Sequence, residues 1–243
     1  MSSPRHSVAE AAKLLGVHPQ RIHQRIRGGS LRAEKIGHQW VIESYELRRL
    51  RSYPPAGRPL SPRSAWAILA VSSDDAEAVA ALSAPERSRA RARLRALLAQ
   101  GAAVSAPDDL ARAASALRHA LGKRASRHLL VAAPPDLPDL RNEARIHLAG
   151  VSRSASNLSA ADLVEGYVES ADLSALESAY LLSPGSPERT NVILHIVADR
   201  SPSEIARISR SPLGLAADLA EHDGVREHRE AVRLLTELCG RQR

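Results

Sequence analysis

The sequence predicts an α+β protein of two domains: a small basic N-terminal domain and a larger mixed α/β domain with terminal helices. Three observations lead to this prediction. The chain has 243 residues, more than a typical single domain. Its basic charge lies at one end, because residues 1–63 contain 12 Lys and Arg against four Glu, whereas residues 64–243 contain 22 basic and 23 acidic residues. Short β-branched runs between turn residues are concentrated after residue 124.

Composition limits the class of protein. Hydrophobic residues make up 44% of the chain, but aromatics make up only 2% and Phe is absent, so its cores must consist of Leu, Val, Ile and Ala. No apolar run approaches the roughly 18 residues of a membrane span, and the N-terminus lacks the apolar stretch of a signal peptide. The single cysteine, Cys239, excludes an internal disulfide and fits a reducing compartment. We expect a soluble, cytoplasmic protein without a membrane partner.

The first predicted helix begins after Ser7. Ser7 and Glu10 form the pattern of a capping box, in which each side chain accepts a hydrogen bond from the backbone amide of the other residue. Gly16 provides a left-handed end to the helix. Four apolar residues with helical spacing define the expected core face: Val8, Ala11, Leu14 and Leu15.

A second helix is predicted from Pro19 to Gly28, with Ile22 and Ile26 on its buried face. Two short helices joined by a tight turn that contains Gly satisfy the requirements of a helix-turn-helix, whose second helix enters the major groove of DNA. Arg is suited to guanine there and Gln to adenine. The alternative is an ordinary solvated helix, but the basic excess of residues 1–63 favours DNA. The expected DNA-contacting residues are Gln20, Arg21, Gln24, Arg25 and Arg27.

A β-hairpin is predicted next, with strands at residues 33–36 and 39–42 and a turn at Gly37 and His38. A third helix is expected from Ser44, with Tyr45 and Leu47 directed inward. A hairpin after a recognition helix is a wing, and its tip would reach the DNA backbone or minor groove. Three apolar side chains are expected to cover the helices: Ile36, Trp40 and Ile42. Three polar residues of the hairpin are expected to contact DNA: Lys35, His38 and Gln39.

The segment SVAEAAKLLGVHPQRIHQRIRGGSLRAEKIGHQWVI resembles the excisionase/MerR-type winged helix-turn-helix of bacterial regulators. It follows the order of that family: helix, turn, recognition helix, GG-x-L-x-A and a wing that contains Trp. The resemblance implies a winged helix-turn-helix DNA-binding domain over residues 1–50. One departure is His18, which occupies the place where the family usually has Ser or Thr before the second helix.

Residues 51–63 are rich in Pro and Arg and are interpreted as a linker. The segment Ala56–Pro59 partly resembles the core of a minor-groove AT-hook, through which Arg58 would insert into a narrow minor groove. The first Arg of that motif is missing. The simpler interpretation, a linker in which Ser61 caps the following helix, is favoured.

Residues 64–243 form the predicted α+β regulatory and interaction domain. Helices are expected from Pro62, from Ser83 to about Gln100 and over residues 108–121, and later over 174–181, 212–222 and 225–239. Strands are expected in the runs RHLLVAA, ARIHLAGV, LVEGYV and TNVILHIVA. The helix predicted from Ser83 to about Gln100 carries Arg at every second position from Arg87 to Arg95. The pattern favours a solvated helix paired with nearby carboxylates, and a second DNA surface or an acidic-partner surface is the alternative.

No catalytic arrangement is recognisable in the larger domain. The chain has no phosphate-binding loop, no paired Cys and no HExxH metal motif. His195 lies inside an apolar strand and is interpreted as a core residue with a satisfied hydrogen bond, and Cys239 as an inert residue on an apolar helix face. His222 and His228 are six residues apart and fit a helix–helix turn better than a metal site. We therefore expect a non-enzymatic protein without a cofactor or metal.

The C-terminal half carries a second resemblance, in the phrases GVSRSASNLSAADLVEGYV, NVILHIVAD and PLGLAADLAEHDGVREHREAVRLL. These phrases are similar to actinobacterial helix-turn-helix proteins that accompany nucleotidyltransferase-type toxins of the abortive-infection class. The resemblance implies autoregulation of an operon and an antitoxin role with a toxin protein as partner.

Together these observations predict a sequence-specific transcriptional regulator that binds double-stranded DNA as a homodimer, because a single small winged helix usually binds weakly. The alternatives are an excisionase-like protein that bends DNA and a protein-interaction module without base recognition.

Overall fold

The computed structural model describes residues 5–15, 17–27, 31, 33–37, 39–44, 47, 59–73, 76–158, 160–186 and 188–241, apart from the side chains of residues 107 and 108. The chain divides into two compact units, Met1–Ala56 and Gly57–Arg243. Both contain helices and strands, so the predicted α+β class is confirmed. Within the described residues, no helix is both long enough and apolar enough to cross a bilayer.

The N-terminal unit combines two helices with a small sheet. The elements are β1 (Arg5–Ser7), α1 (Val8–Leu15), α2 (Pro19–Arg27), β2 (Glu34–Ile36) and β3 (Gln39–Glu43). The three strands pair antiparallel in the order β1-β3-β2, which confirms the predicted hairpin and adds a strand before the first helix. The fully or nearly fully buried apolar residues are Ala11, Ala12, Ile22, Leu31, Ile42 and Leu47.

The prediction that Leu14 and Ile36 lie in the core is wrong. Leu14 is 44% exposed and Ala12 is buried in its place, because the core face of α1 follows residues 8, 11, 12 and 15. Ile36 is 48% exposed, because the register pairs it with Gln39 and so places it on the face opposite Ile42. Trp40 shares the face of Ile42 but is only half-buried. The predicted positions of Tyr45 and of the Gly16 cap lie outside the described residues.

The larger unit begins with helices and contains a sheet whose strands alternate with further helices. Its helices are α3 (Pro62–Ser72), α4 (Ala76–Ala80), α5 (Ala84–Ala102), α6 (Pro107–Leu121), α7 (Leu137–Asn142), α8 (Leu173–Ala179), α9 (Pro202–Arg210), α10 (Pro212–Ala220) and α11 (Val225–Arg241). Its strands are β4 (Ser126–Val131), β5 (His147–Leu148), β6 (Val164–Glu169), β7 (Ser183–Pro184) and β8 (Val192–Val197).

The strands form a five-stranded sheet in the order β5-β6-β8-β4-β7. The central pair, β6 and β8, is parallel and the other pairs are antiparallel. Both central strands are buried on both faces. One face carries Val164, Val168 and Leu194 into a small core with α7 and α8. The other face turns Tyr167 toward the main core, which the longer helices build.

Local capping explains where most helices of this unit begin. Ser61 caps α3 through a hydrogen bond from the Ser64 amide, as the sequence predicts. Ser83 and Glu86 form a capping box at the start of α5. Helix α9 is not among the predicted elements, although Ser201 precedes Pro202 and forms the same type of box with Glu204. A recognisable start signal for α9 is therefore present in the sequence.

Candidate nucleic-acid interface

Local hydrogen bonds fix the start of each of the two helices in the N-terminal unit. The amide of Ser7 donates to Glu10 Oε2 at 2.8 Å, and the amide of Glu10 donates to Ser7 Oγ at 3.3 Å. These are the two bonds of the predicted capping box. They lower the pKa of Glu10, first through the backbone hydrogen bond of Ser7, so this carboxylate is charged and engaged at neutral pH.

The turn between α1 and α2 is closed by the backbone and by His18. The Val17 amide donates to the Ala12 carbonyl at 3.0 Å, and the Arg21 amide donates to the His18 carbonyl at 2.9 Å. His18 Nδ1 accepts a bond from the Gln20 amide at 3.4 Å. An imidazole nitrogen therefore takes the capping role that a hydroxyl usually has at the start of a helix, at a distance long enough to make the cap weak.

Helix α2 separates its apolar and polar residues cleanly. Ile22 is fully buried, Ile26 packs against the same core and, after the helix, the Leu31 amide donates to the Arg25 carbonyl at 3.1 Å. The helix contains no acidic residue. All five predicted base- and phosphate-contacting residues are exposed: Gln20, Arg21, Gln24, Arg25 and Arg27. The structure thus presents one continuous cationic and amide-bearing face.

The hairpin places two of its three predicted contact residues on the surface. Lys35 and Gln39 are exposed on β2 and β3, on either side of the turn at Gly37. Gly37 adopts a φ of 60°, which Gly tolerates without strain. Two other predicted DNA contacts, His38 and Arg58, lie outside the described residues.

The larger unit contains a feature that the sequence analysis missed, which we name the buried ionic cluster: Arg124, Glu165, Tyr167, His195, Asp218, Glu221 and His222. Arg124 stands at its centre, with a side chain that is 1% exposed. Its Nε donates to the Tyr167 hydroxyl at 2.6 Å and its Nη2 to Asp218 Oδ1 at 2.6 Å. Its Nη1 donates to Glu221.

Glu165 forms the second centre of the buried ionic cluster. It accepts hydrogen bonds from His195 Nε2 at 2.9 Å, from His222 Nε2 at 2.9 Å and from the Val151 amide at 3.0 Å. Gly150 allows this approach, because a Cβ at this position would lie 1.9 Å from Glu165 Oε2. The hydrogen bond of His195 confirms its interpretation as a satisfied core residue.

Burial and pairing set the protonation of these groups. Burial works against the charge of Glu165, but the hydrogen bonds from His195 and His222 hold its pKa well below the usual range. Burial also disfavours the charged ring of His222, but the hydrogen bond and charge of Glu165 raise its pKa. Burial raises the pKa of Asp218 and Tyr167. The arrangement links β6, β8, α10 and the segment before β4, and its chemistry is that of a structural ion-pair network.

The sequence signal for this cluster is charge inside apolar strands. Glu165 interrupts the run of β6 and His195 interrupts the run of β8, and both are at most 1% exposed. His222 and His228 meet at the turn between α10 and α11, where the two residues are joined by a hydrogen bond of 2.7 Å between His228 Nε2 and the His222 carbonyl. Within the described ranges, no group of three or more His, Cys, Asp and Glu has the arrangement of a metal site. Cys239 is half-buried on α11.

Residues 7–52 match a family model described as a helix-turn-helix domain. The match is confined to the N-terminal unit and supports the excisionase-type resemblance of this segment. It indicates a DNA-binding regulator of the helix-turn-helix class. No curated protein and no solved structure matches the chain, and the resemblance of the C-terminal half to antitoxins gains no support from these comparisons.

Proposed function

We propose that the protein is a sequence-specific transcriptional regulator that binds double-stranded DNA and represses or activates its own operon. The observation that carries the proposal is the exposed polar face of α2, held outward by the burial of Ile22 on the opposite side. Arg21 and Arg25 would contact guanine or phosphate, and Gln20 and Gln24 would contact adenine. Each good bidentate contact contributes about 1–3 kcal/mol of discrimination between bases.

We propose that the hairpin acts as a wing and adds DNA contacts to those of α2. Lys35 and Gln39 are exposed at the end of the sheet that follows α2, where they would contact the backbone or minor groove. Arg27 at the end of α2 would add a phosphate contact. His38 and Arg58 remain proposed contacts at the hairpin tip and in the linker over residues 51–63.

Two copies are expected to bind together. One small domain presents only a short recognition helix, so a homodimer with half-sites about one or more helical turns apart would supply the affinity that one copy lacks. The larger unit, residues 64–243, is the proposed regulatory and dimerising part.

The test is binding of the full chain to DNA from upstream of its own gene, compared with scrambled DNA of equal length, over about 50 to 200 mM salt. Wild type should prefer the upstream DNA, with a salt slope of about −0.9 per phosphate neutralised. The double variant R21A/Q24A should lose the preference while it keeps the wild-type melting profile, because both side chains are exposed. R112A, which also removes one positive charge but in the other unit, should keep it. Equal binding of wild type to both DNAs would refute the proposal.

We further propose that the protein neutralises a toxin. This second proposal rests only on the C-terminal sequence segments that resemble antitoxins. A nucleotidyltransferase-like reading frame beside this gene, toxic when expressed alone and harmless when expressed with this chain, would support an antitoxin role. Rescue by R21A/Q24A would show that neutralisation does not depend on DNA binding. Continued toxicity in the presence of wild type would exclude the role.

A further inference from the structure

Helix α5 carries a second concentration of positive charge, outside the helix-turn-helix unit. Five arginines occur within nine residues, which span about 12 Å of helix axis. We name them the α5 arginines: Arg87, Arg89, Arg91, Arg93 and Arg95. Arg89, Arg91 and Arg95 are exposed, and the other two are half-buried. This is unusual in a unit whose overall charge is close to neutral.

The α5 arginines lack the carboxylate partners that the sequence led us to expect. In the described part of the chain, no Asp or Glu lies within ion-pair distance of any of them. The nearest carboxylate on the helix, Glu86, instead accepts hydrogen bonds from Arg63 Nε at 2.6 Å and from Ser83. The expectation of a carboxylate-paired helix is therefore wrong. Other arginines of this unit do pair, as Arg112 does with Asp109 at 2.6 Å.

The spacing of the α5 arginines works against helix stability. Arg87, Arg91 and Arg95 are four residues apart, as are Arg89 and Arg93, and like charges at this spacing repel along a helix. Such repulsion is relieved when an external anion binds. The feature is therefore more consistent with an anionic ligand than with a face selected for solvation alone.

The helix geometry shows how a polyanion fits. At 100° per residue, Arg91 and Arg95 lie on one side of the exposed surface of α5, and Arg89 and Arg93 on the other. Between them runs a ridge of small exposed residues: Ser88, Ala92, Ala96 and Ala99. On one side, Arg89 and Arg93 line a cleft of about 260 Å³ together with Arg63, Ser64 and the carboxylate of Glu86, which is paired with Arg63. Small residues let the helix axis approach a ligand closely while the arginines reach past it on both sides.

We propose that α5 is a second DNA-contacting surface, on which the α5 arginines bind the phosphate backbone of the duplex without reading its bases. This inference rests on the proposed function, since DNA is the polyanion that the helix-turn-helix unit brings to the protein. Duplex DNA carries one charge per about 1.7 Å, so the 12 Å of arginine-bearing helix faces several phosphates. The larger unit would then supply phosphate contacts of its own, in addition to those of the helix-turn-helix unit.

The test compares the full chain with the triple variant R89A/R91A/R95A on upstream and scrambled DNA, as a function of salt. The salt slope should fall by about 0.9 for each phosphate that the variant no longer neutralises, so by up to about 2.7, and affinity should fall by a similar factor for both DNAs. The preference for upstream DNA should remain. Ala is the best helix former and removes like-charge repulsion, so the variant should melt no earlier than wild type.

A control variant removes three arginines that already form ion pairs, R112A/R145A/R233A, and changes the net charge equally. If both triple variants bind DNA alike, charge alone explains the effect and the proposal is overturned. It is also overturned if R89A/R91A/R95A binds like wild type, the result expected if α5 instead faces an acidic protein. If wild type shows no preference for upstream DNA but the α5 variant still lowers the salt slope, the proposed function fails and the α5 surface stands.

Discussion

At the scale of single residues, Arg124 connects distant parts of the larger unit through the buried ionic cluster. It is buried, and it binds Tyr167, Asp218 and Glu221 at once. Burying several charges costs solvation free energy, and this cost offsets the gain from their pairing. The presence of the cluster is therefore weak evidence for net stability. Removing one charged residue of the cluster should nevertheless destabilise the protein, because its partners would remain buried without the opposite charge.

We expect R124M to lower the free energy of unfolding by about 3–5 kcal/mol, because Asp218 would be left as a buried, unpaired carboxylate. Urea unfolding monitored by far-UV circular dichroism measures this. The double variant R124M/D218N should recover part of the loss, since the uncompensated charge is gone. R112M, which alters an exposed pair, should leave the unfolding midpoint almost unchanged. A wild-type midpoint for R124M would contradict this account of the cluster.

At the scale of elements, the N-terminal sheet shows how register decides the role of a side chain. Ile42 and Ile36 are both isoleucines of one hairpin, yet the first is fully buried and the second is 48% exposed. The pairing of Ile36 with Gln39 puts it on the outer face. Neither residue type nor strand prediction distinguishes them, because a shift of one residue exchanges the two faces.

Helix α2 gives a test of this packing. I22A should destabilise the N-terminal unit by about 2–5 kcal/mol, because it removes a fully buried side chain from a small core and leaves a cavity. I36A should change stability far less, although the same atoms are deleted. Hydrogen exchange of the amides of α1 and α2 measures both. Equal loss of protection in the two variants would show that the register places Ile36 in the core.

At the scale of the whole molecule, the buried ionic cluster should make the stability of the larger unit depend on pH. The pKa of His222 is raised above 6.5, so the stability it contributes is complete below about pH 6.5 and is lost as the pH rises through its folded-state pKa. The pKa of Glu165 is lowered from 4.5, so its contribution is present above about pH 4.5 and is lost in acid. The contributions of His222 and Glu165 to stability are therefore both present between about pH 4.5 and about pH 6.5.

The variant H222Q isolates the histidine, because Gln still donates a hydrogen bond to Glu165 but does not titrate. The advantage of wild type over H222Q in unfolding free energy should be larger at about pH 6 than at about pH 8. Chemical denaturation at both pH values measures the difference. A constant difference would mean that the pKa of His222 is the same in the folded and the unfolded protein, and would contradict the raised value.

Much of the fold can be predicted from the sequence, and the reasons are local. Ser7, Ser61 and Ser83 mark helix starts through hydrogen bonds that span only three residues. The short apolar runs of β6 and β8, bounded by turn residues, predict strands. Helical spacing also identifies the exposed residues of α2, since one buried face fixes the other. Long-range consequences cannot be predicted in this way, as the exposed positions of Leu14 and Ile36 show.

The sequence by itself determined the two-part organisation of charge, the helix-turn-helix pattern and the outward face of α2, because these depend on composition and on contacts between near neighbours. Only the tertiary structure decided which charges are neutralised. Arg124 meets Asp218 across 94 residues and Glu165 meets His222 across 57, whereas the α5 arginines meet no carboxylate among the described residues. The physical reason is that an ion pair forms only between groups a few ångströms apart. Tertiary packing decides which distant residues come that close.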